Sequence, residues 1–286
     1  MAIKTIGVVG AGAMGSGIAQ VAAMAGYDVI MRDLDEKIIQ GGMKGIEKFL
    51  AKSVEKGKMT ADDKTVVMGR ITLTTRMEDL KDVDFIVEAI FEDLTIKQDM
   101  FRELDDLTRK DIILATNTSS LPITEIAAVT SRPEKVVGLH FFNPVPLMRL
   151  VEVIRGHYTN EYTVALSKDF VKRVGKESIE VKIDSPGFVV NRLMIPHFIE
   201  AVSLLQEGIA TAEDIDKAAK LGLNYPMGPF ELMDMTGVDI ALHVINYFYQ
   251  GLNKELKWVA PRMLNEIVKA KRLGKKSGAG WYIYNK

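Results

Sequence analysis

Apolar positions in the first two-thirds of the chain follow two alternating patterns. Short strand-like runs occur at 6–9, 27–31, 71–74, 83–87, 112–115, 136–140, 150–154 and 178–181. Between them, apolar residues recur every three or four positions. A helix-like run follows Gly15 to Ala25, and Gly26 stops it. A long amphipathic helix is predicted over 36–56, with Ile39, Met43, Ile46, Leu50 and Val54 at helical spacing. Further helices are expected near 95–108 and 161–174, and one starting near Pro122. Strands alternating with helices predict an α/β, doubly wound, mostly parallel sheet with helices on both faces.

The pattern then changes. Asp184-Ser185-Pro186-Gly187 is a turn signal and a helix start. Beyond it the period is helical at 188–206, 211–221, 229–235, 238–248 and 261–272. Thr211-Ala212-Glu213-Asp214 has the form of an N-cap with acids in the first turn, and Gly208 and Gly222 are placed to end helices. The chain therefore divides into an α/β domain, 1–184, and a smaller all-α domain, 185–286, whose tail is a turn and a short aromatic strand-like end. That small helical domain is rich in large apolar side chains, which predicts a homodimer built on it.

Composition acts mainly by exclusion. With 286 residues, 47% apolar and 26% charged, the chain is ordinary for a globular protein. A net charge of −1 gives no general affinity for nucleic acid or anionic membrane. The absence of cysteine removes disulfides, thiolate nucleophiles and Cys-based metal sites. No apolar run approaches a membrane span. Residues 1–25 are short, apolar and small-residue-rich like a secretory signal, but the glycine spacing within them argues against cleavage, so a cytoplasmic location is expected. His157, His197 and His243 have no metal-ligand company and read as structural; no metal is expected.

The glycines of Gly10-Ala11-Gly12-Ala13-Met14-Gly15 follow a strand and open a helix, and a second strand ends at Asp33, 18 residues after Gly15. This is the dinucleotide-binding βαβ fingerprint in full context. Gly10 permits a tight turn, Gly12 lets backbone approach a pyrophosphate, and Gly15 lets helix and strand pack. The pyrophosphate sits on the helix N-terminus, where free N–H groups and the dipole favour an anion. Asp33 accepts the adenosine ribose hydroxyls and repels a 2′-phosphate, with Asp35 and Glu36 adding to that effect. Arg32 is the one dissenting charge. NAD is the expected cofactor.

Residues 138–154, GLHFFNPVPLMRLVEVI, carry the candidate chemistry. His140 closes one apolar strand, and Glu152 lies inside the next, on the same face as Leu150 and Ile154. A glutamate among aliphatic side chains needs a partner. Paired with His140, it would hold one ring nitrogen and leave the other for proton transfer, as an alcohol–ketone reaction requires. The plainer reading is a salt-bridged or half-exposed glutamate and a strand-end histidine with no joint role.

Other positions have the same double reading. Asn117 and Ser119, in a hydroxyl-rich loop after a strand, would meet the nicotinamide half of a cofactor or the substrate, or merely cap a helix. Glu88 and Glu92, in the segment that ends another strand, read as a catalytic pair of acids or, better, as positioning residues around the nicotinamide ribose, ahead of the helix carrying Lys97. Lys48, Lys52 and Lys56 form a cationic ridge: a solvated helix face, or a clamp for a phosphate-bearing substrate such as coenzyme A. Asn191 is a helix-start polar residue that could hydrogen-bond a reacting carbonyl.

Together GAGAMGSGIAQ, VEAIFEDLTIK, TNTSSLPIT, GLHFFNPVPLMRLVEVI, DSPGFVVNRL and GKKSGAGWYIY resemble the L-3-hydroxyacyl-CoA dehydrogenases, most nearly the bacterial 3-hydroxybutyryl-CoA type. The resemblance spans essentially the whole chain. It implies His140 as general acid/base with Glu152 as its partner, and Ser119 and Asn191 on the reacting oxygen and thioester. It implies Gly10, Gly12, Met14, Gly15 and Asp33 on the adenosine and pyrophosphate, and Ala89, Glu92, Lys97, Asn117, Ser119 and Asn143 around the nicotinamide half. Lys52 and Lys56 match contacts to the CoA phosphates, Lys275 or Lys276 a tail contact to the cofactor, and the helical domain a dimer interface. The implied substrates are acetoacetyl-CoA and 3-hydroxybutyryl-CoA. A dehydrogenase of a non-CoA hydroxy acid would keep the dyad but have no use for Lys52 and Lys56. A non-catalytic NAD sensor would need only the glycine loop and Asp33.

Overall fold

A computed structural model describes residues 3–284. The chain falls into two compact units, Met1–Phe188 and Val189–Lys286.

The first unit opens with β1 (Thr5–Val9), α1 (Ala13–Met24) and β2 (Asp28–Arg32). Next come α2 (Glu36–Glu55), α3 (Ala61–Gly69) and β3 (Ile71–Thr74). Asp35 caps α2 by accepting from the Lys37 N–H, and Ile39, Ile46 and Leu50 form its buried stripe. Helix α3 was not expected from the periodicity, since Val67 is its one buried residue; its signal was local, a reciprocal capping box between Thr60 and Asp63. The second half holds β4 (Phe85–Glu88), α4 (Leu94–Leu107), β5 (Ile113–Thr116), α5 (Ile123–Ala127) and β6 (Val136–Phe141). It closes with β7 (Leu150–Arg155), α6 (Glu161–Arg173) and β8 (Glu177–Val181).

Among the described residues these strands form one sheet, ordered β3-β2-β1-β4-β5-β6-β7-β8. All neighbours pair in parallel except β6 and β7, which are antiparallel. Every residue of β4, β5 and β6 is buried, as expected of central strands covered on both faces. One core cluster joins α1, α2 and α6 to one face of the sheet. The other joins α4 and α5 to the opposite face. The order reverses between β1 and β4, and a ligand crevice in such a sheet lies outside the strand carboxyl ends at that reversal.

The turn at 185–189 differs from the sequence expectation of a helix from 188. Phe188 has φ 51° and is 4% exposed, packed in the second core cluster of the first unit. A bulky residue with positive φ cannot begin a helix, so helical geometry starts two residues later.

The second unit is helical: α7 (Val190–Gln206), α8 (Ala212–Gly222), α9 (Pro229–Thr236), α10 (Val238–Gly251) and α11 (Arg262–Lys269). Its core includes Ile195, Phe198, Phe230, Met233, Ile245, Phe248 and Trp258. The tail is not a regular strand; it is held by isolated bridges and two buried carboxylates. Asp234 accepts from the Trp281 and Tyr282 N–H groups and the Tyr284 hydroxyl. Asp216 accepts from the Phe230 and Glu231 N–H groups and the Tyr282 hydroxyl at 2.7 Å. Burial pushes the Asp216 carboxyl above its usual range, outweighing those donors. Among the described residues no helix is long and apolar enough to cross a membrane, and no cluster of potential metal ligands forms.

Candidate active site

The glycine loop joins β1 to α1. Gly10 has φ 105°, and a Cβ there would lie 2.5 Å from the Ala89 carbonyl oxygen. A Cβ on Gly15 would lie 1.8 Å from the Gly10 carbonyl oxygen, so helix and loop close only with glycine. Gly12 is different. Its φ is −66°, and a Cβ there would meet nothing within 4 Å. Neither conformation nor the protein's own packing requires glycine at this position. The space it leaves open faces the first turn of α1, where unsatisfied N–H groups suit a phosphate. Met14 is half-buried in that turn.

Asp33 follows β2. Its Oδ2 accepts from the Ala11 N–H at 2.7 Å and its Oδ1 from the Leu34 N–H at 2.7 Å. The carboxylate is thus fixed beside the glycine loop, where a ribose diol would lie. These features fit an NAD molecule.

His140 and Glu152 are direct cross-strand partners in the antiparallel β6–β7 pair. That register brings side chains together on one face, and His140 Nδ1 lies 2.6 Å from Glu152 Oε2. Glu152 is fully buried, and His140 is 6% exposed. With a carboxylate at Nδ1, that nitrogen carries the proton and Nε2 is left as the acceptor. The imidazole is walled by Phe142, 4.4 Å between centroids, and by Phe188, 5.7 Å. Sequence reasoning missed Phe188 because its role depends on a positive-φ turn that brings it back to β6.

The loop after β5 is fastened to the same end of the sheet. Asn117 N–H donates to the Glu88 carbonyl at 2.7 Å, and Asn117 Oδ1 accepts from the Phe141 N–H at 2.9 Å. The amide therefore ties β5 to the residue after His140, leaving its Nδ2 as a donor. Glu92 Oε1 gathers the next residues: the Thr118 hydroxyl at 2.6 Å, the Ser119 N–H at 2.8 Å and the Ser119 hydroxyl at 3.1 Å. Ala89 donates its N–H to Val9. Asn143 stands exposed just past β6, before a cis peptide bond to Pro144.

Lys97 does not stand open beside this loop. It is fully buried, with its ammonium 2.6 Å from Glu88 Oε1 and 3.6 Å from Glu92 Oε2. Glu88 is equally buried and also accepts from the Ile90 N–H and the Thr116 hydroxyl. Lys97 thus supports Glu92 from below.

Lys48 and Lys52 are exposed on α2, and Lys56 is exposed at its C-cap. Asn191 lies in the first turn of α7 in the second unit, half-buried. In that unit Lys276 pairs with Asp239 at 2.6 Å, and Lys275 lies over the Tyr284 ring. His197 packs edge-on to Tyr225, and burial holds its imidazole below the usual range.

A glycine-loop nucleotide domain that also buries a hydrogen-bonded His–Glu pair has the build of an NAD-binding oxidoreductase. Comparisons with known proteins agree. Residues 5–184 match the model of the 3-hydroxyacyl-CoA dehydrogenase NAD-binding domain, and residues 187–284 that of the 3-hydroxyacyl-CoA dehydrogenase C-terminal domain. The chain is 46% identical to 3-hydroxybutyryl-CoA dehydrogenase of Clostridioides difficile, over 98% of this chain and 99% of that one. It is 43% identical to the mitochondrial hydroxyacyl-coenzyme A dehydrogenase of Rattus norvegicus, over 99% and 91%. The structure of (S)-3-hydroxybutyryl-CoA dehydrogenase from Ralstonia eutropha superposes with a TM-score of 0.97 at 42% identity, covering 100% of both chains. The chain belongs to the 3-hydroxyacyl-CoA dehydrogenase family.

Proposed function

We propose that this protein catalyses the reversible, NAD-dependent oxidation of a short-chain (S)-3-hydroxyacyl-CoA, with 3-hydroxybutyryl-CoA and acetoacetyl-CoA as the substrate pair. The observation that carries the chemistry is the His140–Glu152 pair at 2.6 Å. Glu152 holds the Nδ1 proton and so presents Nε2 to the substrate hydroxyl. His140 takes the hydroxyl proton there, and the resulting imidazolium faces a buried carboxylate, which stabilises it. NAD, when bound, accepts the hydride from carbon 3. In the reverse direction His140 returns the proton to the carbonyl oxygen. Phe142 and Phe188 keep water from the ring.

Ser119 and Asn191 are assigned to the reacting oxygen and the thioester. Glu92 aims Ser119 by accepting from both its N–H and its hydroxyl. Lys52 and Lys56 are assigned to the CoA phosphates, a role their exposure leaves them open to fill. Gly10, Gly12, Met14, Gly15 and Asp33 would hold the adenosine and pyrophosphate, with Ala89, Glu92, Asn117 and Asn143 around the nicotinamide half. Lys97 acts there through Glu92. We assign residues 1–184 to cofactor binding and 185–286 to substrate binding and dimerisation. A dimer is supported by the exposure of Leu193 (73%), Leu221 (76%) and Ile240 (51%) in the helical unit. A cytoplasmic location agrees with a cofactor of intracellular metabolism.

The test is NADH consumption with acetoacetyl-CoA and then with acetoacetate. Turnover only with the thioester is expected. Equal turnover of free acetoacetate would transfer the protein to the non-CoA hydroxy-acid dehydrogenases, and no turnover of either would refute the activity.

A further inference from the structure

Arg32 ends β2, directly before Asp33, and a carboxylate that selects NAD gives no reason for its charge. Register places it beside Val9 of β1 and Thr74 of β3. Its side chain therefore shares the face of Val9, which packs in the cluster with Ile86 and Leu114. Asp33 is committed elsewhere, to the glycine loop through the Ala11 N–H.

One nitrogen of the guanidinium is enclosed in an unusual way. Arg32 is 6% exposed, and its Nε is sealed without a hydrogen-bond partner. Among the described residues, no carboxylate pairs with it. An enclosed N–H donor without a partner weakens the fold that holds it. An apolar chain of the same length would suit those surroundings better. Such a group is accounted for when its partner arrives with a ligand.

The ligand's chemistry follows from the neighbours. Asp33 fixes the place of the adenosine ribose diol at the carboxyl edge of the sheet. The base on that sugar then lies within a side chain's length of the residues flanking Asp33. One is Leu34, an apolar side chain left 78% exposed. The other is Arg32. A purine matches this pair: its faces are apolar and electron-rich, and its ring nitrogens accept hydrogen bonds. Arginine stacks on such rings and donates in their plane. A 2′-phosphate does not match, because it would have to lie at the sugar edge that Asp33 occupies.

We propose that Arg32 is a binding residue for the adenine ring of the dinucleotide, an unpaired charge in the free protein that the base partners on binding. Leu34 supplies the apolar contact on the other side of Asp33. The inference rests on the dinucleotide reading of the glycine loop, and not on which substrate is oxidised.

The experiment uses the full chain and Arg32→Met, which keeps the stem and removes the charge. Thermal unfolding without nucleotide, NADH affinity by fluorescence titration, and turnover with reduced nicotinamide mononucleotide are measured on both. The mononucleotide carries the reactive ring but no adenosine. The expected result is a pair of opposite effects: NADH binds about 10-fold more weakly, within the range of a desolvated cation–π contact, while the free protein unfolds at the same or a higher temperature. Turnover with the mononucleotide is unchanged. Arg32→Lys, which keeps a charge, should recover part of the affinity. A lower unfolding temperature with equal losses on NADH and the mononucleotide would make Arg32 structural and overturn the proposal. So would NADH affinity within two-fold of the unmodified protein. Loss confined to NADPH would assign the charge to a 2′-phosphate and overturn it as well. Failure of the unmodified protein to bind NADH would instead refute the dinucleotide reading itself.

Discussion

The Lys97 ammonium lies 2.6 Å from Glu88 Oε1, and neither side chain reaches water. The pair joins α4 to β4, and through Thr116 and Glu92 it reaches β5 and the loop that carries Ser119. Breaking a buried pair on one side strands the other charge, at a cost of about 3–5 kcal/mol. Lys97→Met should destabilise the nucleotide unit by about that much in urea unfolding. Adding Glu88→Gln, which can still serve Thr116 and the Ile90 N–H, should recover most of the loss. If the double variant is no more stable than the single one, the pair is not coupled as its geometry indicates.

His140→Gln should lower kcat by about 10²–10⁴-fold, the usual worth of acid–base catalysis, with NADH affinity near normal. Glu152→Gln keeps a hydrogen-bond acceptor but removes the charge that faces the imidazolium. It should therefore lose a smaller part of kcat and alter the pH–rate profile. Unchanged rate and pH dependence in Glu152→Gln would remove Glu152 from the mechanism.

Asp33 bonds the Ala11 N–H as well as standing where the ribose diol would lie. Asp33→Ala should reduce kcat/KM with NADH by about 10–100-fold, the equivalent of one or two hydrogen bonds to a charged group. It should narrow the gap to NADPH, since the repulsion of a 2′-phosphate is gone. A higher kcat/KM with NADPH in the unmodified enzyme would contradict this account of selectivity.

Lys52 and Lys56 are exposed, so each contact to phosphate is worth roughly 0.2–1 kcal/mol. Lys52→Ala with Lys56→Ala should raise KM for acetoacetyl-CoA several-fold and leave a truncated pantetheine thioester nearly unaffected. The difference should shrink with added salt. Equal effects on both thioesters would place the lysines away from the nucleotide end of CoA.

Acid stability can be tested at Asp84. Burial pushes its carboxyl up, but the N–H groups of Thr5 and Lys4 and the Arg109 guanidinium outweigh this and hold it below the usual range. A folded-state value below the unfolded value, about 3.9, gives stability that is complete above that pH. It is lost as pH falls through the folded-state value. Asp84→Asn should be less stable at neutral pH, with its unfolding midpoint converging on that of the unmodified protein near pH 2. Parallel curves across that interval would show that Asp84 is not the group being titrated.

The sequence by itself determined what depends on neighbours along the chain. Glycine spacing, an acid closing the second strand and the change from strand–helix alternation to a pure helical period all act locally. Each states which face is apolar or where backbone must turn, and those features need no distant partner. The sequence also placed His140 and Glu152 on adjoining apolar runs. Only the tertiary structure decided that they stand opposite each other, because one antiparallel pairing in an otherwise parallel sheet sets that register. Lys97 and Arg32 make the same point from the other side. Both are charged residues in ordinary patterns, and nothing local says that one is sealed against Glu88 or that the other encloses its Nε without a hydrogen-bond partner. Phe188 continues a helical period in sequence, yet its buried place beside His140 holds it at positive φ. Burial and register are set by the whole strand order, and so the partners of these side chains are fixed only when the sheet has closed around them.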